Sequence, residues 1–134
     1  AGSAATGGGP DASFVYLGAV DIAGHDIGAA SREYLDAIEA VDALLGTVLD
    51  AVASRRTRAD ERWLILVTTD HGHLDSGGHG GGTDHECDVF VVASGDGVGP
   101  GVRHGTALVD VAATALHHLG VPVPADLEGR PLVG

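Results

Sequence analysis

The sequence predicts an α/β fold with a mostly parallel sheet and helices on its faces. Two apolar runs, Phe14–Val20 and Trp63–Val67, lack polar alternation, as strands buried on both faces do. Between them lies a long stretch whose apolar residues recur at helical spacing. Each run also ends at an aspartate with a histidine close behind, Asp21 with His25 and Asp70 with His71. In open α/β sheets that end of a strand is where ligands bind.

The elements follow in chain order. Residues 1–10, Ala1-Gly2-Ser3-Ala4-Ala5-Thr6-Gly7-Gly8-Gly9-Pro10, have the composition of a linker or an expression-derived tail. Phe14–Val20, rich in aromatic and β-branched residues, reads as a buried strand. A helix is expected from Ser31 to about Ser54. Tyr34, Ile38, Val41, Leu45, Val48 and Val52 fall on one face, widened by Leu35, Leu44 and Leu49, while Arg32, Glu33, Asp36, Glu39, Asp42 and Asp50 lie mainly elsewhere. Ser31 suits its N-cap, and Arg55, Arg56 and Arg58 follow where cations complement the helix dipole. Trp63 to Thr69 then completes a βαβ unit with a right-handed crossover, which would deliver both aspartates to one sheet edge. Val89–Ala93 reads as a third short strand, and Thr106–Leu119 as a second helix with Val109, Ala112, Ala113, Leu116 and Leu119 inward. Gly120 suits the position just past its end, and Pro122 and Pro124 stop its continuation. Residues 11–134 read as one unit, without internal repeats.

Composition narrows the function. Nineteen acids against seven bases, all of them arginine, leave a formal net charge of -12. That field argues against duplex nucleic acid or an anionic membrane as the main partner, and a phosphorylated substrate would need bound cations to reverse it locally. No apolar stretch is long enough to span a bilayer, and no signal peptide is visible; localisation stays unknown. The single cysteine, Cys87, precedes an apolar run and is expected to be a small core residue.

The chemistry-bearing residues cluster. Four of the eight histidines lie between His71 and His85. A carboxylate oxygen beside an imidazole nitrogen is a ligand pair for a divalent ion, although Asp70-His71 alone is equally compatible with a surface turn. Asp21-x-x-x-His25 brings both side chains to one centre if the chain turns helically there, and Gly24 permits a tight path; a capped turn with an exposed His is the alternative. His79, with glycine on both sides, suits a ligand presented from a loop. His73 and His85, with Asp75 and Asp84, are weaker candidates, either orienting ligands or solvated. His104, His117 and His118 lie away from the cluster.

Asp21-Ile22-Ala23-Gly24-His25, Thr69-Asp70-His71-Gly72 and Gly78-His79-Gly80, in that order, resemble the metal-ligand motifs of the alkaline phosphatase superfamily, with the type I phosphodiesterase/nucleotide pyrophosphatase group as the nearest branch. Val109 to Leu116, Leu119-Gly120-Val121-Pro122 and Gly129-Arg130-Pro131-Leu132 also resemble its closing helix and tail. The resemblance covers about Phe14 to Leu132. It implies a three-layer α/β/α fold and a two-metal hydrolase of phosphate esters acting on a small-molecule substrate. By position, Asp21, His25 and His79 would hold one ion, and Asp70 and His71 would help hold the other. Zinc is the expected metal, with manganese the alternative; a histidine-rich set disfavours calcium. Relatives by the same resemblance include mutases and sulfatases.

The serine or threonine nucleophile of that superfamily stands far upstream of the first motif, and Ser3 and Thr6 are in the wrong context to serve. The resemblance therefore implies the C-terminal portion of a larger enzyme, inactive or nearly so alone, with an exposed sheet edge that invites self-association. The competing class is a non-catalytic metal-binding or interaction module that has kept one set of ligands.

Overall fold

A computed structural model describes residues 9–134. The linker reading of residues 1–10, and with it Ser3 and Thr6, therefore falls almost wholly outside the described residues. The elements are α1 (Ala19–Asp26), α2 (Arg32–Ala53), a short 3-10 turn (Arg58–Asp60), β1 (Leu64–Thr68), α3 (Asp84–Cys87), β2 (Val91–Gly95) and α4 (Asp110–His118).

The long helix forms where its apolar spacing puts it. The Ser31 side chain accepts from the Tyr34 amide at 3.1 Å and donates to the Gly28 carbonyl at 2.7 Å, fixing the entry to α2. Arg32 pairs with Asp36 one turn on, at 2.8 Å. At the far end Arg55 turns away from the helix terminus and pairs with Glu61, which also accepts from Thr57 and from the Trp63 indole at 2.6 and 2.7 Å. This knot leads directly into β1.

The sheet corrects the expected topology. Among the described residues it has two strands, and they are antiparallel, with Leu64 opposite Gly95 and Thr68 opposite Val91. The α/β class stands, but the mostly parallel sheet and the βαβ crossover do not. The reason lies in Phe14–Val20, which is not a strand. Among the described residues no strand pairs with it, and a strand is stabilised through its neighbours. The run has no regular secondary structure as far as Leu17, and Phe14 is 91% exposed. From Ala19 the chain turns helical, the Ile22 amide donating to the Gly18 carbonyl at 3.1 Å. With its first strand gone, β1 pairs with the next apolar run along the chain, which returns antiparallel after a long connection.

The buried hydrophobic side chains among the described residues are those of Ala113 and Val133. α4 starts later than expected and buries Asp110, Ala113 and Thr114, while Val109, Ala112 and Leu119 are exposed. Its inner face is polar because it ties down the tail. Asp110 accepts from the Arg130 and Ala107 amides at 2.8 and 2.9 Å, and Thr114 accepts from the Leu132 amide at 2.9 Å. Cys87 is exposed, not a core residue, because one turn of α3 turns Glu86 inward and Cys87 out. The chain exposes 9369 Å², whereas a compact monomer of this mass exposes about 6,500 Å². No helix is long and apolar enough to cross a membrane, among the described residues.

Candidate metal centre

The connection from β1 to β2 carries most of the histidines, and α1 carries the carboxylate they meet. The helical turn in α1 places Asp21 and His25 on one face, Nε2 to Oδ1 at 3.6 Å. The loop is laced through its backbone to α1 and to the turn after it: the Gly78 amide donates to the Gly24 carbonyl at 3.2 Å, and the Ala29 amide to the Leu74 carbonyl at 3.1 Å. Gly78 and Gly80 take φ of 78° and 116°, a region costly for residues with a side chain. The backbone therefore turns sharply on either side of His79, whose Nε2 comes to 3.0 Å from that of His25.

Four imidazoles surround one carboxylate oxygen. Asp21 Oδ1 lies 3.2 Å from His73 Nε2, 3.5 Å from His79 Nε2, 3.6 Å from His25 Nε2 and 3.8 Å from His71 Nε2. The ligand atoms of Asp21, His71, His73 and His79 all lie within 4.8 Å of one another. His71 and His79 stack with ring centroids 3.7 Å apart. His71 Nδ1 lies 3.1 Å from the Gly72 carbonyl oxygen. A carbonyl only accepts, so Nδ1 is the donor in this contact, and Nε2 is the ring nitrogen that faces the cluster. Burial pushes His73 below the usual histidine range, against the pull of Asp21 and with the help of His71, His79 and His25. Its ring is thereby favoured in the neutral form, as a metal ligand requires.

The fit to a divalent ion rests on two atoms. Asp21 Oδ1 and His73 Nε2 are buried without any hydrogen-bond partner, a costly state for polar groups. A hard oxygen among imidazole nitrogens is the donor set of zinc or a similar transition ion.

The structure brings together Asp21, His25, His71 and His79, and adds His73, which carried only a weak signal in the sequence. Asp70 approaches the group through His71, Oδ2 to Nε2 at 3.6 Å, with its side chain 71% exposed. It borders a cleft shared with Glu86, Cys87, Asp88 and Thr106. His85 is exposed on α3 and outside the cluster, and His118 lies 3.3 Å from the Arg62 carbonyl. The signal for His73 was Gly24: a glycine inside a short helix leaves room for a ring.

The profile of the Metalloenzyme superfamily, the alkaline-phosphatase-like group, matches residues 3–123. A 2,3-bisphosphoglycerate-independent phosphoglycerate mutase of Rhodopirellula baltica is 33% identical over 106 residues, covering 74% of this chain and 18% of that protein. Another, of Haloquadratum walsbyi, is 31% identical over 132 residues, covering 92% of this chain and 24% of that protein. GPI ethanolamine phosphate transferase 1 of Gibberella zeae is 29% identical over 140 residues, covering 87% and 14%. The chain thus spans between 14% and 24% of the length of these curated relatives. No solved structure matches it. The motif order, the donor cluster and the extent of the profile match agree: this chain belongs to the Metalloenzyme superfamily.

Proposed function

We propose that this chain carries metal-binding residues of an enzyme that cleaves or transfers phosphate esters. The observation that carries the reading is the approach of four imidazole nitrogens, of His25, His71, His73 and His79, to Asp21 Oδ1, with that oxygen and His73 Nε2 otherwise unpartnered. Asp21, His25 and His79 would hold one divalent ion, and Asp70 and His71 would contribute to a second, with zinc first and manganese the alternative. Bound there, two ions would offset the charge of a phosphoryl group and polarise its oxygens. The chain's own residues orient the donors. His71 is fixed by the Gly72 carbonyl, and Asp70 stands at the solvent side, where a small-molecule substrate can reach it.

No nucleophile is assigned to these residues. The reading takes residues 11–134 as the C-terminal part of a three-layer α/β/α domain, with the nucleophile and further ligands upstream in the same enzyme. The uncovered surface supports this. Phe14, Tyr16, Phe90 and Val92 are exposed, as are Leu35 and Leu44 on α2, where a larger sheet and its helices would cover them. The same faces would favour self-association of this stretch alone.

The motifs resemble those of phosphodiesterases, which pass the phosphoryl group to water. The similar proteins are named as a mutase and a phosphate transferase, which favours a second acceptor in place of water. The first test is metal content of the purified chain by elemental analysis, with His79→Ala alongside. About one tightly held zinc per chain, lost in the variant, is expected; no uptake of zinc, manganese or cobalt by either protein would overturn the reading. In an enzyme containing this stretch, release of inorganic phosphate from a phosphate ester would identify hydrolysis, and its retention on a second hydroxyl would identify transfer.

A further inference from the structure

His73 differs from the other histidines of the cluster in how it is held. Its side chain is 3% exposed, against 26% for His79, 27% for His71 and 48% for His25. The ring sits in a seat made by two helices. A Cβ on Gly24 of α1 would lie 2.5 Å from His73 Cδ2 and 2.6 Å from its Nε2, so a side chain there would occupy the place of the ring. Tyr34 of α2 meets the ring edge-on, with centroids 5.8 Å apart. The seat fixes His73 Nε2 at 3.2 Å from Asp21 Oδ1. That distance would suit a hydrogen bond, yet the geometry does not make one, and both atoms are left without a partner. A ring that merely oriented Asp21 would donate to it. Two buried polar atoms this close, sharing no proton, are costly unless a third group lies against both. Ligand atoms on one tetrahedral ion are spaced about 3.3 Å apart, given metal–ligand bonds of about 2.0–2.1 Å.

We infer that His73 is itself a ligand of the ion held by Asp21 and His79, seated for that role by Gly24 and Tyr34. The inference rests on the metal-centre reading above. It adds a nitrogen to the carboxylate that the motifs assign, and it gives Gly24 a purpose that helix formation cannot.

The test uses the chain labelled with [15N]histidine and loaded with 113Cd. The His73 Nε2 resonance, assigned by its absence in His73→Gln, is expected to be split by coupling to cadmium, as is that of His79. Coupling at His79 with none at His73 would overturn the inference while leaving the metal centre standing. In parallel, His73→Gln should weaken zinc binding by more than about 100-fold, beyond the roughly 10- to 100-fold lost when a ligand's hydrogen-bond partner is removed. His104→Gln should leave binding unchanged. A smaller loss in His73→Gln would also overturn the inference. Absence of any bound zinc, cobalt or cadmium in the unaltered chain would remove the metal-centre reading, and this inference with it.

Discussion

The Gly72 amide donates to the Glu86 carbonyl at 2.9 Å, so that α3 is fastened directly to the segment bearing Asp70, His71 and His73. The side chain of the same Glu86 accepts from the Gly81 amide and the Thr83 hydroxyl, each at 2.7 Å. One buried glutamate thus anchors both the turn after His71 and the loop after His79. Glu86→Ala keeps the carbonyl bond from Gly72 but removes the side-chain anchor of the loop after His79; it is expected to leave α2 intact by circular dichroism and to weaken zinc binding about tenfold or more, as loss of supporting groups around a metal site does.

That clamp also sets a response to acid. The Thr83 and Gly81 hydrogen bonds hold Glu86 below the usual glutamate range. A carboxylate with a lowered value in the folded state stabilises the fold above its unfolded value, near 4.3, and that contribution disappears as pH falls further. Protection of the Gly81 amide against hydrogen exchange should therefore hold from neutral pH down to the unfolded glutamate value, near 4.3, and be lost only as pH falls below it. Loss of that protection already near pH 5 would contradict the arrangement.

Asp110 governs the tail in a similar way. The amides of Arg130 and Ala107 lower its carboxyl from the usual aspartate range. Asp110→Ala strands both donors beside a buried helix face and should cost about 3 kcal/mol in urea unfolding. Hydrogen exchange of the Leu132 amide should become faster, since the tail is then held only through Thr114 and the side chains of Arg103 and Arg130.

Gly24→Ala separates local from tertiary preference. Alanine is favoured over glycine in a helix by about 1 kcal/mol, but here the added methyl meets the His73 ring. Overpacking of this kind costs about 1–3 kcal/mol, so the substitution should lower the melting temperature, and zinc affinity with it. A rise in both would show that His73 is not seated against α1.

Trp63 offers a direct probe of the turn before β1. Its indole donates to Glu61, which is held far below the usual glutamate range by Arg55, then Thr57, then Trp63 itself. The fluorescence of this single tryptophan should stay constant from pH 7 to below pH 4 in the unaltered chain. In Glu61→Gln, which loses the ion pair with Arg55, the emission should shift already at neutral pH.

Some of this was legible in the residues and some was not. α2 and its Ser31 cap follow from spacing and side-chain chemistry that lie within the helix itself. β1 follows from an apolar run that finds a partner. Phe14–Val20 has the same composition and finds none, and composition does not record whether a neighbour exists. The antiparallel pairing was hidden by the long connection between β1 and β2, since short hairpin turns are what sequence patterns reveal. The grouping of Asp21, His25, His71 and His79 could be suspected from motif order. His73 sits in a polar loop with no periodicity, and its burial depends on Gly24 and Tyr34, far away along the chain.

The donors of the centre come from α1 on one side and from the β1–β2 connection on the other, with His25 and His79 separated by 54 positions. An ion gripping both would act as a staple between distant parts of the chain. Closing a loop of that length restricts the unfolded chain by about 4 kcal/mol in the entropic account of cross-links. For a chain with so little buried apolar volume, such a clasp would be a large share of the total stability of a domain, typically about 5–15 kcal/mol. Chelation would then loosen the protein as a whole, and the supply of metal would decide how much of it is folded.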